Sequence, residues 1–171
     1  MSSTAIDTSR LSLRPHSLAD LADSLAMWAD PEVVRYIGGK PSTEEEVWSR
    51  LLRYAGHWSL LGFGYWAVRE TATGRFVGEV GLADFHRALD VPFHGLPEAG
   101  WVLAPWAHGQ GFASEAVAAA LLWSEAHFGS PRSWCIIAPE NAASIRVAQK
   151  AGYREHSRTT FHGDPTIVFE R

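Results

Sequence analysis

At 171 residues the chain fits one domain and is long enough to bury a core without a disulfide or a metal. Hydrophobic residues at 46% and charged residues at 20% exclude a disordered chain, and no apolar run approaches the ~20 residues of a membrane-spanning helix. A formal charge of −4 without a basic run argues against nucleic acid as partner, and the single Cys135 excludes an internal disulfide and a cysteine zinc cluster.

The opening Met-Ser-Ser-Thr lacks the basic start and apolar stretch of a signal peptide, so a cytoplasmic protein is expected. Residues 1–8 are polar and read as frayed. Leu11 and Leu13 alternate with Ser12 and Arg14, which predicts a strand that Pro15 ends. Ser17, with Asp20 three residues on, opens a helix whose Leu18, Leu21, Ala22, Leu25, Ala26 and Ala29 share a face. Asp30-Pro31 stops it. A second helix starts at Ser42, with Glu45 completing a capping box, and runs to Leu61 before Gly62. Strands follow at 65–69 and 76–85 around a Thr73-Gly74 turn. Residues 84–97 hold two prolines and no periodicity, and loops of that length are often functional.

The second half reads strand 98–103, helix 111–127, strand 133–138, helix 142–151, then a strand pair at 153–161 and 166–170. No repeat, linker or composition shift divides the chain, so residues 1–171 form one α/β (α+β) domain with helices on both faces of a sheet. The apolar run around Cys135 suits a buried small residue better than a nucleophile. The eight tryptophans are expected in the core or in pocket walls.

The strand–turn–helix at 98–121 is the most informative segment. Gly109 and Gly111 let the backbone approach an anion without a Cβ in the way. The helix that follows offers free N–H groups and the positive end of its dipole, and Ser114 adds a hydroxyl. From the glycines alone, a plain glycine turn explains the segment as well as a phosphate site does. A dinucleotide fingerprint fails because the third glycine is Ser114 and no acid follows at the right distance; a Walker loop fails for want of Gly-Lys-Ser/Thr. Further on, Asn141 is a good N-cap and Gly152 a good helix terminator, with Ile145, Ala148 and Ala151 as the buried stripe between them.

Together the two segments resemble the GNAT superfamily of N-acetyltransferases. His108-Gly-Gln110-Gly111-Phe112-Ala113 is similar to the family's acetyl-CoA motif, Gln/Arg-x-x-Gly-x-Gly/Ala, except that His108 stands at its first position. Asn141-Ala-Ala-Ser144 leading to Gly152-Tyr153 is similar to the second motif. The Gly-aromatic-Ala-Ser-Glu-Ala form, preceded by Gly100-Trp101-Val102-Leu103-Ala-Pro105, resembles the Rim-type branch that acetylates ribosomal-protein N-termini. The resemblance implies a mixed, mostly antiparallel twisted sheet of about six or seven strands with about four helices. It implies acetyl-CoA as co-substrate and no metal. Val102 and Leu103 would hold the pantetheine, His108–Ser114 the pyrophosphate, and Asn141 and Ser144 would line the thioester. The acceptor would be a small-molecule amine or a protein N-terminal amine, with no membrane or nucleic-acid partner and with a homodimer left open.

Acetyl transfer needs the acceptor amine deprotonated and the departing sulfur protonated or stabilised. The tyrosine that many relatives place seven residues after the Asn is Ala148 here, which leaves Ser144 as the available hydroxyl. Glu98 is the first choice of base; Asp84, His86, His94 or a water chain are alternatives. Arg146 and Lys150 suit CoA phosphates or an ordinary charged surface equally. A non-catalytic acyl-CoA-binding module remains the rival from another class.

Overall fold

The computed structural model describes residues 4–129 and 132–171, so most of the segment read as frayed can be placed, while residues 1–3 lie outside the described residues. The first strand pair, β1 (Ile6–Asp7) and β2 (Leu11–Pro15), is antiparallel, so the N-terminal segment is an ordered edge rather than frayed. After a 3-10 turn at Leu18–Asp20 come α1 (Leu21–Trp28), a short α2 (Pro31–Val34) and α3 (Glu44–Leu61). Next are β3 (Tyr65–Glu70), β4 (Phe76–Ala83) and β5 (Glu98–Leu103), then α4 (Phe112–Phe128), β6 (Trp134–Ile137), α5 (Ala142–Lys150), β7 (Arg154–Phe161) and β8 (Asp164–Glu170). Among the described residues the sheet has eight strands and the chain five α-helices, somewhat more of each than expected.

The sheet order is β1-β2-β3-β4-β5-β6-β8-β7, and β5–β6 is its one parallel pair. That pair matters most for function. It registers only at Glu98↔Trp134, after which the strands diverge. The edge of β5 facing β6 therefore lacks ladder partners beyond its first residues. Strand alternation sends β5 residues to opposite faces. One face carries α4 and α5 over Leu11, Leu13, Trp66, Val80, Leu82, Ala99 and Leu103. The other carries α1 and α2 over Ala67, Phe76 and Ala104. No helix among the described residues is long and apolar enough to cross a membrane.

Two local expectations need correction. The capping box of α3 is Thr43 with Glu46, one residue beyond the expected pair: Glu46 N donates to Thr43 Oγ1, and Thr43 N donates to Glu46 Oε2 at 2.7 Å. The apolar stripe expected on α1 faces the core only in part: Leu21 and Leu25 are half-buried against it, while Ala22, Ala26 and Ala29 are exposed. Leu18 is 70% exposed, while Ser24, Met27 and Trp28 are buried. Two of those three carry polar groups that a buried carboxylate requires, and this requirement shifts the buried face away from the centre of the apolar stripe. The loop at 84–97 is anchored rather than loose. Leu89, Val91 and Phe93 pack on Trp134 and Val168 below it.

Candidate active site

Gly111 is the N-cap of α4 in a left-handed conformation at φ 80°, and Gly109 is at φ 74°. Both values are ones that side-chain-bearing residues rarely adopt. No side chain caps the helix, so its first N–H groups are left for a ligand. The loop is braced from behind. Arg10 donates to Gln110 O at 2.9 Å and pairs with Glu115 at 2.7 Å. Threonine 8 also donates to Glu115 at 2.6 Å. At the far side Asn141 Oδ1 caps α5 by accepting from Ser144 N at 3.1 Å.

These pieces enclose a cleft of about 400 Å³, within the usual range for small-molecule sites. Of the residues expected to hold the cofactor, Val102, Leu103, His108, Gly109, Gly111, Phe112, Ala113, Ser114, Asn141 and Ser144 all line it. So do Arg146 and Lys150, which adds two cations to the lining. The glycine backbone, uncapped amides and cations fit a pyrophosphate-bearing ligand. Gln110 is the exception: its amide donates to Trp106 O at 2.6 Å, and its side chain is not part of the lining. His108 turns back on the strand end, where Nε2 lies 3.0 Å from Leu103 O, a group that only accepts.

A second cleft of about 410 Å³ opens on the α3 side and holds Glu98, Tyr54, Tyr65, Arg87, Phe161 and His162. The two clefts share Tyr36, Ile37, Trp101, Val102, Asn141 and Ser144, so they meet where β5 and β6 part, beside the segment after α2. At the join, Trp101 Nε1 donates to Ser144 Oγ at 3.3 Å. Sequence pattern alone misses how Tyr65 fits the second cleft. Tyr65, Gly81 and Gly100 stand in register across β3, β4 and β5. With no Cβ at either glycine, the Tyr65 ring lies flat over both strands, and a Cβ on Gly100 would collide with its hydroxyl. Burial pushes the Tyr65 phenol well above its usual range, with Glu98 adding to the shift, so it stays neutral.

Glu98 is 4% exposed and accepts from Arg87 Nε at 2.7 Å. Burial raises its carboxyl above the ordinary range; the Arg87 hydrogen bond and charge offset this only in part. The alternative bases lie elsewhere. His86 and His94 are exposed, His86 sits 3.5 Å from Asp84, and none of the three lines either cleft. Ala148 is fully buried and offers no proton donor. Cys135 is buried with its thiol pushed up, which suits a core residue. No group of three or more metal-ligating side chains is found among the described residues.

Residues 10–154 match the acetyltransferase (GNAT) domain family. The chain is similar to the Bacillus subtilis protein YkkB, 30% identical over 98% of this chain and 95% of that protein. Its fold superposes on a GNAT-family acetyltransferase structure from Bordetella pertussis with a TM-score of 0.87, 30% identity and 99% coverage of each chain. At 15% identity it also shares its fold with the ribosomal L7/L12 α-N-protein acetyltransferase RimL, solved with coenzyme A, at a TM-score of 0.76 over 98% of this chain and 97% of that one.

Proposed function

The chain belongs to the GNAT acetyltransferase family, and from that premise we propose that it transfers acetyl from acetyl-CoA directly to a primary amine. The observation that carries the reading is the meeting of two clefts across the divergent β5 and β6, with Ser144 in both. The thioester supplies the acetyl group; a C–N bond forms as the C–S bond breaks, and one amine proton must leave. Glu98 takes that proton, since a raised carboxyl is a stronger base than an exposed one. The unladdered backbone edge of β5 near Val102 and Leu103 donates to the developing oxyanion. Ser144 Oγ, already held by Trp101, stabilises the departing sulfur. Gly109, Gly111 and the first turn of α4 receive the pyrophosphate, helped by Arg146 and Lys150. RimL, which acts on a protein N-terminus and was solved with coenzyme A, supports a CoA donor and an amine acceptor. The reading takes the cytoplasm as the site of action, with neither membrane nor nucleic acid as partner.

The test is thermal stability with saturating acetyl-CoA for wild type and Ser114→Asp. Asp near a helix N-terminus favours the helix yet repels a phosphate, so the variant should fold and lose the ligand's effect. At 100 times the dissociation constant, wild type gains about 2.7 kcal/mol, roughly 5–10 °C at this length. An equal rise in both proteins, or none in a folded wild type up to millimolar ligand, overturns the reading. A non-catalytic acyl-CoA-binding module is the competing view, favoured by the buried Ala148 where relatives supply a tyrosine. It predicts the same shift without amine-dependent thiol release.

A further inference from the structure

The acceptor cleft is positive although the chain as a whole is acidic. Arg50 and Arg53 of α3 and Arg87 of the 84–97 loop line it, against the carboxylates of Glu98 and Asp164. Three residues apart on a helix, Arg50 and Arg53 face the same way. Arg87 is committed to Glu98 and lies between the Phe85 and Phe161 rings, 4.7 and 4.9 Å from their centres.

The two α3 arginines are not committed. The Arg50 guanidinium lies 3.7 Å over the Trp28 ring, and its Nη1 is buried without a hydrogen-bond partner. Arg53 lies 4.8 Å from the Phe85 ring centre and forms no ion pair or side-chain hydrogen bond among the described residues. The nearest acid along the helix, Glu46, is spent on the cap at Thr43. The adjoining surface carries Lys40 against Glu45 and Glu46, so the uncommitted positive charge is confined to Arg50 and Arg53. Stacking on an aromatic face orients a guanidinium and leaves its in-plane N–H edge free for an anion. A buried N–H without an acceptor carries a desolvation penalty that an arriving oxygen would relieve.

We propose that the acceptor is a dipolar amine that also carries a carboxylate or phosphate. Arg50 and Arg53 hold the anion while the amine lies toward Glu98. This rests on the transferase reading above and narrows it. A polyamine or other purely cationic acceptor would meet guanidinium repulsion at the mouth of the cleft. The anion chemistry is shared by two sources, a small amino-acid-like amine and a protein N-terminus followed by acidic residues.

The experiment measures thiol release from acetyl-CoA with matched amines: 3-aminopropylphosphonate against propylamine, and a tetrapeptide Ser-Glu-Glu-Ala against Ser-Gln-Gln-Ala. In wild type the anionic member of at least one pair should have the higher kcat/KM, and the pair that responds identifies the source. In Arg50→Gln and Arg53→Gln, each checked for an unchanged melting temperature, the anionic-to-neutral ratio should fall by about 10- to 100-fold, the loss expected for a charged hydrogen bond. The ratio is insensitive to a general loss of active protein, so a merely structural role would not move it. Equal or reversed preference in wild type, or a ratio that survives both substitutions, overturns the proposal. If no amine is turned over, calorimetric titration of the same amines into the protein–CoA complex decides it: selective binding of the anionic members upholds it, and equal or no binding overturns it. Failure of acetyl-CoA to bind at all would break the transferase reading, and the titration would then be read on the free protein.

Discussion

Two buried carboxylates on adjacent strands have opposite characters. Glu79 on β4 is 1% exposed and Glu98 on β5 is 4% exposed, so burial does not distinguish them. Their partners do. Glu79 accepts from Ser24 Oγ at 2.7 Å, Trp28 Nε1 at 2.9 Å and Tyr54 Oη at 3.2 Å, with His16 Nε2 at 3.5 Å. Burial pushes its carboxyl up, and the hydrogen bonds and charge at His16, then those of Ser24 and Trp28, more than reverse the shift, leaving it below the ordinary range. Among the described residues Glu98 has Arg87 alone as donor, and it stays above that range. A carboxylate with many donors ties α1 and α3 to the sheet; one with a single donor beside a cleft is poised to accept a proton. The donor count, more than depth, separates the structural acid from the one proposed as base.

The largest expected effect sharpens the reactive side of this contrast. Glu98→Gln should lower kcat by about 10²- to 10⁴-fold, the usual contribution of a positioned base. Acetyl-CoA should still raise its melting temperature as in wild type. The fold should not suffer, because a carboxyl raised by burial costs stability once ionised and the amide removes that cost. A kcat within threefold of wild type in steady-state assays would return the proton to solvent water.

Glu79→Gln should act the other way, costing about 2–3 kcal/mol of stability, since its NH2 group would face donors that need an acceptor. Chemical denaturation reads this directly. The pH dependence of stability follows with opposite signs. Glu79 has a lowered carboxyl, so its contribution is present above about pH 4.5, its ordinary value, and is lost as the pH falls below that. Glu98 has a raised one, so stability linked to its proton is present below about pH 4.5 and is lost as the pH rises through the higher folded value. Denaturation between pH 3 and 7 should therefore show a flatter acid limb in Glu79→Gln and a steeper gain with pH in Glu98→Gln. Identical pH profiles for the two variants would remove the distinction.

The smallest effect concerns the single donor. Arg87→Gln takes away the cation that holds Glu98 down, so the acid limb of kcat/KM should move to higher pH. An unmoved limb would mean that the titration seen in kinetics belongs to another group.

The residues expected around the cofactor could be grouped from sequence because their segments are local. Gly109, Gly111 and the helix after them, like Asn141 and the helix it caps, are short segments whose backbone chemistry can be read from spacing. Ten of the residues expected around the cofactor line one cleft for this reason, and Gln110 drops out only because its side chain finds Trp106 O. Glu98 was legible as a candidate from its place at the start of a strand. Its state was not, since Arg87 comes from a loop with no periodicity to fix its direction. The second cleft depends on long-range contacts. Tyr65 lies flat because glycines from two other strands fall in register with it, and Arg50 faces the cleft because Trp28 of another helix supports it. The face that α1 buries also belongs to tertiary structure. Its leucines predicted one buried face, and a carboxylate 55 residues away shifted that face to include Ser24. Such contacts join residues far apart in sequence, where neither period nor motif records the pairing, and a buried charge that needs donors outweighs the exposure of one leucine.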